Sequence, residues 1–171
     1  MYFIMEEDKR ITNRIKFRDI ESNIHVEIVP EEYEQVNDIT VLFMLGNKDS
    51  IYPDVIETPV FLVSDHLKCL IEPYDVSVIY RRVALNQIKE SIQKNYWILM
   101  PEKIECLHDD SEWHPNGLDK KIILDQQKIG DKRIFRTEGM HTPKVIVHID
   151  VSEGIMRRDF EGINFRQVEA K

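Results

Sequence analysis

The sequence predicts an α+β domain, a mostly antiparallel or mixed sheet with a few short helices, in a single domain over residues 1–171. Three observations predict it. Stretches rich in Val, Ile, Tyr and Phe, several with apolar and polar residues in alternation, recur along the chain and read as strands. Clean helix punctuation is confined to two places, after Ser64 and at Asp150. Each of those helices lies between strand-like segments, so strand–helix–strand units sit among β-rich sequence.

Taken in order, "YFIM" at Tyr2–Met5 opens a strand, and "RIKFRDI" alternates well enough for a second around Ile15 to Ile20. "NIHVEIV" sets Ile24, Val26 and Ile28 against His25 and Glu27, the period-2 pattern of a half-buried strand, with His25 on its solvent face. Pro30 followed by Glu31, Glu32 and Glu34 resembles a helix start, since proline is tolerated in the first turn and acids complement the dipole. That helix is short, because "NDITVLFMLGN" returns at once to β-branched and aromatic residues. Residues 46–59 read as the main loop.

"PVFLVSDHLKCLIEPYD" is the best punctuated unit. Val60–Val63 form a strand, Ser64 is an N-cap candidate, and Leu67, Leu70 and Ile71 make one helical face. Cys69 is expected to be buried by that helix and His66 to face solvent. Glu72-Pro73 stops it, because the residue before proline avoids the helical region. Val76–Leu85 and "NYWILMP" read as strands; "NQIKESIQKN" between them fits either a helical turn or a hairpin loop. "KKIILDQQKIGDKRIFRTEG" reads as two strands joined around Gly130-Asp131. Val145, Val147 and Ile149 alternate into Asp150 and Glu153, which have the form of a capping box. Ile155 and Met156 are then expected to face the core, Arg157 and Arg158 to sit at the negative helix end, and Gly162 to open a last strand, "INFRQVE".

With 171 residues and 42% hydrophobic composition, the chain can bury a core without disulfides or metals. "MYFIM" runs straight into Glu6, Glu7 and Asp8, unlike a signal peptide, and the longest apolar run, Val41–Leu45, is too short to cross a membrane. A cytoplasmic location is the expectation. Net charge is −8, unevenly spread: residues 1–117 carry 12 Lys/Arg against 22 Asp/Glu, and residues 118–171 carry 11 against 9. Such a chain lacks the concentrated basic face that nucleic acid requires, whereas an acidic face suits a basic protein partner. Strand edges leave pairing into a homo-oligomer open as well.

No phosphate-binding glycine loop, H-E-x-x-H, G-x-S-x-G or paired C-x-x-C occurs. Ser91 and Lys94 match S-x-x-K without its companion motifs. The densest chemistry is "IECLHDDSEWHPNG", which packs Cys106, His108, Asp109, Asp110, Glu112 and His114 into residues 104–117. Cys106-x-His108 could share one side of a strand, with His114 returning across a turn; a small metal-dependent hydrolase using the Cys106–His114 region is the alternative that follows. Against it, one cysteine is local, no second ligand pair follows at finger spacing, and Pro115-Asn116-Gly117 already accounts for the segment as a turn. No metal or cofactor is expected.

Five segments in order carry a resemblance: "YPDVI", "VFLVSDHLKCLIEPYD", "NYWILMPEKIECLHDDSE", "KRIFRTEG" and "VIVHIDVSEGIMRRDFEGINFRQVE". Together, from about Ile39 to the C-terminus, they resemble the bacterial immunity-protein family of polymorphic toxin systems, formerly catalogued as a domain of unknown function. The resemblance implies a non-enzymatic protein that binds and neutralises a cognate toxin, with no catalytic residues to carry over. Members tend to have acids and serine after the "YW" strand, as Asp109, Asp110, Ser111 and Glu112 do here. The expected partner-binding residues are an acidic rim of Glu31, Glu32, Glu34, Asp109, Asp110 and Glu112, with Tyr52 and Trp113 as aromatic anchors. The competing expectation for Trp113 is that so large an aromatic folds back onto its own domain.

Overall fold

The computed structural model describes residues 1–18 and 39–171. The expected strand at 24–29, His25, the helix start at Pro30, and Glu31, Glu32 and Glu34 lie outside the described residues. In chain order, β1 (Tyr2–Glu7) and β2 (Lys16–Phe17) are followed by β3 (Ile39–Leu45), β4 (Val55–Ile56) and β5 (Leu62–Ser64), which leads into α1 (Asp65–Ile71). The hairpin of β6 (Ile79–Gln87) and β7 (Ile92–Met100) comes next, then β8 (Lys103–Ile104), β9 (Glu112–Trp113), β10 (Asp119–Lys121) and β11 (Ile123–Leu124). Last are α2 (Gln126–Ile129), β12 (Ile134–Thr137), β13 (Val145–His148), α3 (Ile149–Met156) and β14 (Ile163–Ala170).

These strands form two six-stranded sheets and one two-stranded ribbon. The first sheet runs β11-β14-β1-β13-β12-β8, the second β2-β3-β6-β7-β5-β4, and β9 pairs with β10. Most pairings are antiparallel; β3–β6, β8–β12 and β11–β14 are parallel, so both large sheets are mixed. The α+β expectation is met.

The apolar start of the chain is explained by the position of β1 between β13 and β14. Both its faces are covered. Phe3 and Met5 point into a core shared with Val63 and Leu99 of the second sheet and Leu67, Ile71, Val151 and Ile155 of the helices. Tyr2 and Ile4 point the other way, into a core with Cys106, Leu124, Ile129, Phe135 and Ile146. A third cluster, around Leu42, Met44, Val83, Leu85, Tyr96 and Ile98, covers the far face of the second sheet. Because the first cluster draws on both sheets, the two halves fold around one interior. In "VLFML" only alternate members are inside: Leu42 and Met44 are buried, while Val41, Phe43 and Leu45 are exposed.

The helix after Ser64 starts where its punctuation predicts and ends at Ile71, but Glu72 does not leave the helical region before Pro73: it sits at φ −52°, ψ −39°, and a 3-10 turn follows over Glu72–Tyr74. Ser64 Oγ accepts from the Leu67 amide at 3.2 Å, and Leu67 and Ile71 are fully buried. The helix is pinned to the sheet by Trp97, whose Nε1 donates to Asp65 Oδ1 at 2.8 Å, and by Lys68, whose ammonium lies 5.0 Å from the Trp97 ring centroid. Cys69 is exposed, against expectation, because it lies two positions from Leu67, about 200° around the helix and away from the apolar face. His66 is exposed, as expected.

Other departures have local causes. Residues 46–59 include the buried pair Val55–Ile56, which adds the edge strand β4. The 86–95 segment is the tip of a hairpin, whose turn is residues 88–91 between β6 and β7, with Ser91 in the left-handed region at φ 53°; Ser91 and Lys94 thus sit in a turn and a strand. Between β11 and β12 the chain makes α2, capped by Asp125, whose carboxylate accepts from the Gln127 amide at 2.9 Å. The cap of α3 is His148 and not Asp150: β13 hands directly to the helix, and His148 Nδ1 accepts from the Asp150 amide at 3.4 Å. Asp150 instead pairs with Arg133 and Glu153 with Arg157, both at 2.7 Å. Ile155 is buried but Met156 is exposed, being about 100° further round the helix. Arg158 does complement the helix end, donating to the Gly154 carbonyl at 2.6 Å, and Gly162 opens β14 with φ 78°.

Candidate functional site

Residues 104–121 fold as a strip along one face of the first sheet. The strip is laced to β11: the Asp125 amide donates to the Cys106 carbonyl at 2.8 Å and the His108 amide to the Ile123 carbonyl at 2.9 Å. Ser111 closes the join, its Oγ accepting from the Ile123 amide at 3.1 Å and donating to the Ile123 carbonyl at 3.0 Å. Beyond it the chain leaves the core as the β9–β10 ribbon. Its turn is the one that Pro115-Asn116-Gly117 announces, with Gly117 at φ 79°, the His114 amide bonded to the Leu118 carbonyl at 2.8 Å, and Asn116 Oδ1 accepting from the Leu118 amide at 3.2 Å.

The dense cluster of polar residues separates once folded. Cys106 points inward with 0% exposure, among Leu124, Ile129 and Phe135, and burial pushes its thiol up to about 11. His108 is half-buried, and its Nδ1 accepts from the Asp110 amide at 3.2 Å. His114 is exposed at the base of the ribbon's turn. Among the described residues no three His, Cys, Asp or Glu side chains come together as a metal site. Ile104 and Leu107 pack against the same apolar cluster that holds the thiol.

The acids of this strip are matched by lysines. Asp110 Oδ2 lies 2.5 Å from Lys171 Nζ, Glu112 Oε2 2.5 Å from Lys120 Nζ, and Glu169 pairs with Lys121 at 2.8 Å. The Lys171 hydrogen bond holds the Asp110 carboxyl below its usual range, and the Lys120 bond does the same for Glu112. Asp119, at the far side of the ribbon, stands 3.6 Å from Arg166 and 3.9 Å from Lys144. Asp109 is exposed. The strip is therefore a mixed-charge edge, because the C-terminal lysines fold back onto the acids of the first part of the chain. Each such exposed pair contributes little alone, but together they fix the ribbon's pose.

Trp113 stands out on this edge, 40% exposed on β9, and Leu118 across the turn is 47% exposed. Tyr52 is elsewhere. Its ring packs against the outer core of the second sheet, its hydroxyl donates to Gln87 Oε1 at 2.6 Å, and Lys94 sits over the ring at 5.7 Å. The fold thus gathers Asp109, Asp110, Glu112 and Trp113 into one edge and sets Tyr52 in another part of the molecule. Leu118, Lys120 and Lys171 are the members of this edge that sequence reading misses. An apolar residue directly after Pro-Asn-Gly is a signal for Leu118; nothing local announces Lys171, which is 61 positions from Asp110.

No family model matches this chain, and no curated protein matches it. Among the described residues no helix is long and apolar enough to cross a membrane.

Proposed function

We propose that the protein is a non-enzymatic, immunity-type binding protein that neutralises a cognate bacterial toxin in the cytoplasm, with the β9–β10 ribbon as its contact edge. One observation carries the proposal: Trp113, 40% exposed, is presented on a ribbon whose backbone and flanking charges are already fixed. Binding hot spots are enriched in tryptophan, and an anchor on a pre-organised element loses little entropy on docking. Leu118 extends the apolar centre, and Asp109, Asp110, Glu112, Lys120 and Lys171 surround it as a polar rim. The rim's mixed charge favours a partner with both signs at its contact surface, while the net charge of −8 still draws a basic partner from a distance.

The test takes as partner the product of a toxin-like gene encoded beside this one, where such a gene is found, with binding measured by calorimetry and rescue of growth read in parallel. Trp113→Ala should weaken the complex by about 30-fold, the scale of a single hot-spot residue, with unchanged thermal stability. Replacing Asp109, Asp110 and Glu112 by their amides should slow association severalfold and flatten its salt dependence. A complex indifferent to Trp113→Ala removes the ribbon from the interface. Failure to bind or protect at all removes the immunity reading itself.

A further inference from the structure

The tip of the β9–β10 ribbon is built for a covalent change. Asn-Gly occurs once in the chain, at Asn116-Gly117, and every other asparagine precedes a residue with a side chain. The Gly117 amide donates to the His114 carbonyl at 2.9 Å, the His114 amide donates to the Leu118 carbonyl at 2.8 Å, and Gly117 takes φ 79°. That is the pattern of a tight hairpin turn closed by a left-handed glycine. Residues 112–118 are all exposed, and a side chain placed on Gly117 would meet nothing within 4 Å. The Asn116 carboxamide is curled forward: its Oδ1 accepts from the Leu118 amide at 3.2 Å, so the side chain arches over the Gly117 nitrogen between them. The same Leu118 N–H faces the oxygen on which negative charge develops if Asn116 Cγ is attacked, the position of an oxyanion-hole donor.

We propose that Asn116 is a site of self-catalysed deamidation in the folded protein. The Gly117 amide gives its proton to hydroxide and its nitrogen attacks Asn116 Cγ. The bond from Cγ to the carboxamide nitrogen breaks, ammonia leaves, and a five-membered cyclic imide forms. Water then opens the imide at one carbonyl or the other, to aspartate or to an isoaspartate whose main chain runs through the former side chain; nothing is oxidised or reduced. Glycine leaves the attack uncrowded and lets the backbone turn to reach it. The hydrogen bond from Gly117 to His114 must open first, and at an exposed tip such opening costs least. By contrast Asn86, Asn95 and Asn164 lie within β6, β7 and β14, Asn13 Nδ2 donates to the Asp49 carbonyl, and Asn47 Oδ1 accepts from the Asp49 amide. The products differ in structure. Aspartate keeps the acceptor for the Leu118 amide and adds charge to it, which strengthens that bond. Isoaspartate adds a methylene to the main chain, so the turn no longer closes in its present register. The site stands on this turn alone, whatever the ribbon binds.

Peptide mass spectrometry of the full chain, kept folded in mildly alkaline buffer and sampled over days, tests this. Exchange of the carboxamide NH2 for OH should appear at Asn116 at least about tenfold faster than at Asn13, Asn47, Asn86, Asn95 or Asn164, the strand and bonded sites being held by costlier opening. In heavy-oxygen water the label should enter the product, and fragmentation should resolve aspartate from isoaspartate. The rate should rise about tenfold per pH unit, as attack by a deprotonated amide requires. Asn116→Gln lengthens the side chain and makes the ring six-membered; it should slow the exchange by at least about tenfold with an unchanged urea midpoint. Exchange spread evenly over the asparagines, exchange undiminished in Asn116→Gln, or an Asn116 that reacts in the urea-unfolded chain but stays intact in the folded one would each overturn the proposal.

Discussion

Substituting Cys106 separates a core thiol from a reactive or metal-binding one. The side chain is 0% exposed and packed among Ile122, Leu124, Ile129 and Phe135. Cys106→Ser puts a hydroxyl into that apolar shell, at a cost of about 1–3 kcal/mol where no partner compensates it. Cys106→Ala removes one sulfur, comparable to a methylene at about 0.8 kcal/mol, and adds about 0.5 kcal/mol for a void of roughly 20 Å³. Both variants should stay folded, with midpoints of urea unfolding ordered wild type, then Ala, then Ser. Thiol labelling supplies an internal control, because Cys69 is exposed and Cys106 is not. With its thiol pushed up to about 11, Cys106 is almost wholly protonated at neutral pH and should react with maleimide only when the fold opens. A labelling rate within about tenfold of that of Cys69 would refute the core assignment. So would a serine variant as stable as wild type that has lost a stoichiometric metal on elemental analysis.

Asp54 should be the most costly polar residue to remove from the junction of the sheets. Its carboxylate accepts from the Ser64 hydroxyl and, at 2.7 Å, from the Glu161 amide, tying the cap of α1 to the approach of β14. Asp54→Ala should cost about 2–3 kcal/mol in urea unfolding, as loss of hydrogen bonds to a charged acceptor does; a change under about 1 kcal/mol would show that the junction holds without it. The ribbon's acids set a pH response. Because the folded carboxyls of Asp110 and Glu112 lie below their usual values, their contribution is complete above those values and is lost as pH falls through the depressed ones. The Trp113 indole NMR resonance should therefore hold constant from about pH 8 to 5 and move only below about pH 4. Movement centred near neutrality would refute the assignment of this response to the acids.

Features that depend on neighbours along the chain were legible in the residues alone. The strand at "NYWILM", the Ser64 cap and the Pro-Asn-Gly turn are each encoded within a few residues and stand in the fold as the local rules require, whereas Glu72, before Pro73, keeps helical angles and leads into a 3-10 turn over Glu72–Tyr74. Features that depend on distant partners emerge with the assembled sheets. Whether Trp113 lies inside or outside, that Asp110 meets Lys171, and that Cys106 joins Phe135 follow from strand order. The cap of α3 shows the boundary between the two: Asp150 and Glu153 have the spacing of a capping box, yet β13 ends at His148 and α3 starts at Ile149, two residues sooner than that cap would place it, so the role falls to His148. The physical reason is that hydrogen bonding in turns and caps is short-ranged, whereas burial and charge pairing depend on which surfaces the whole chain brings together.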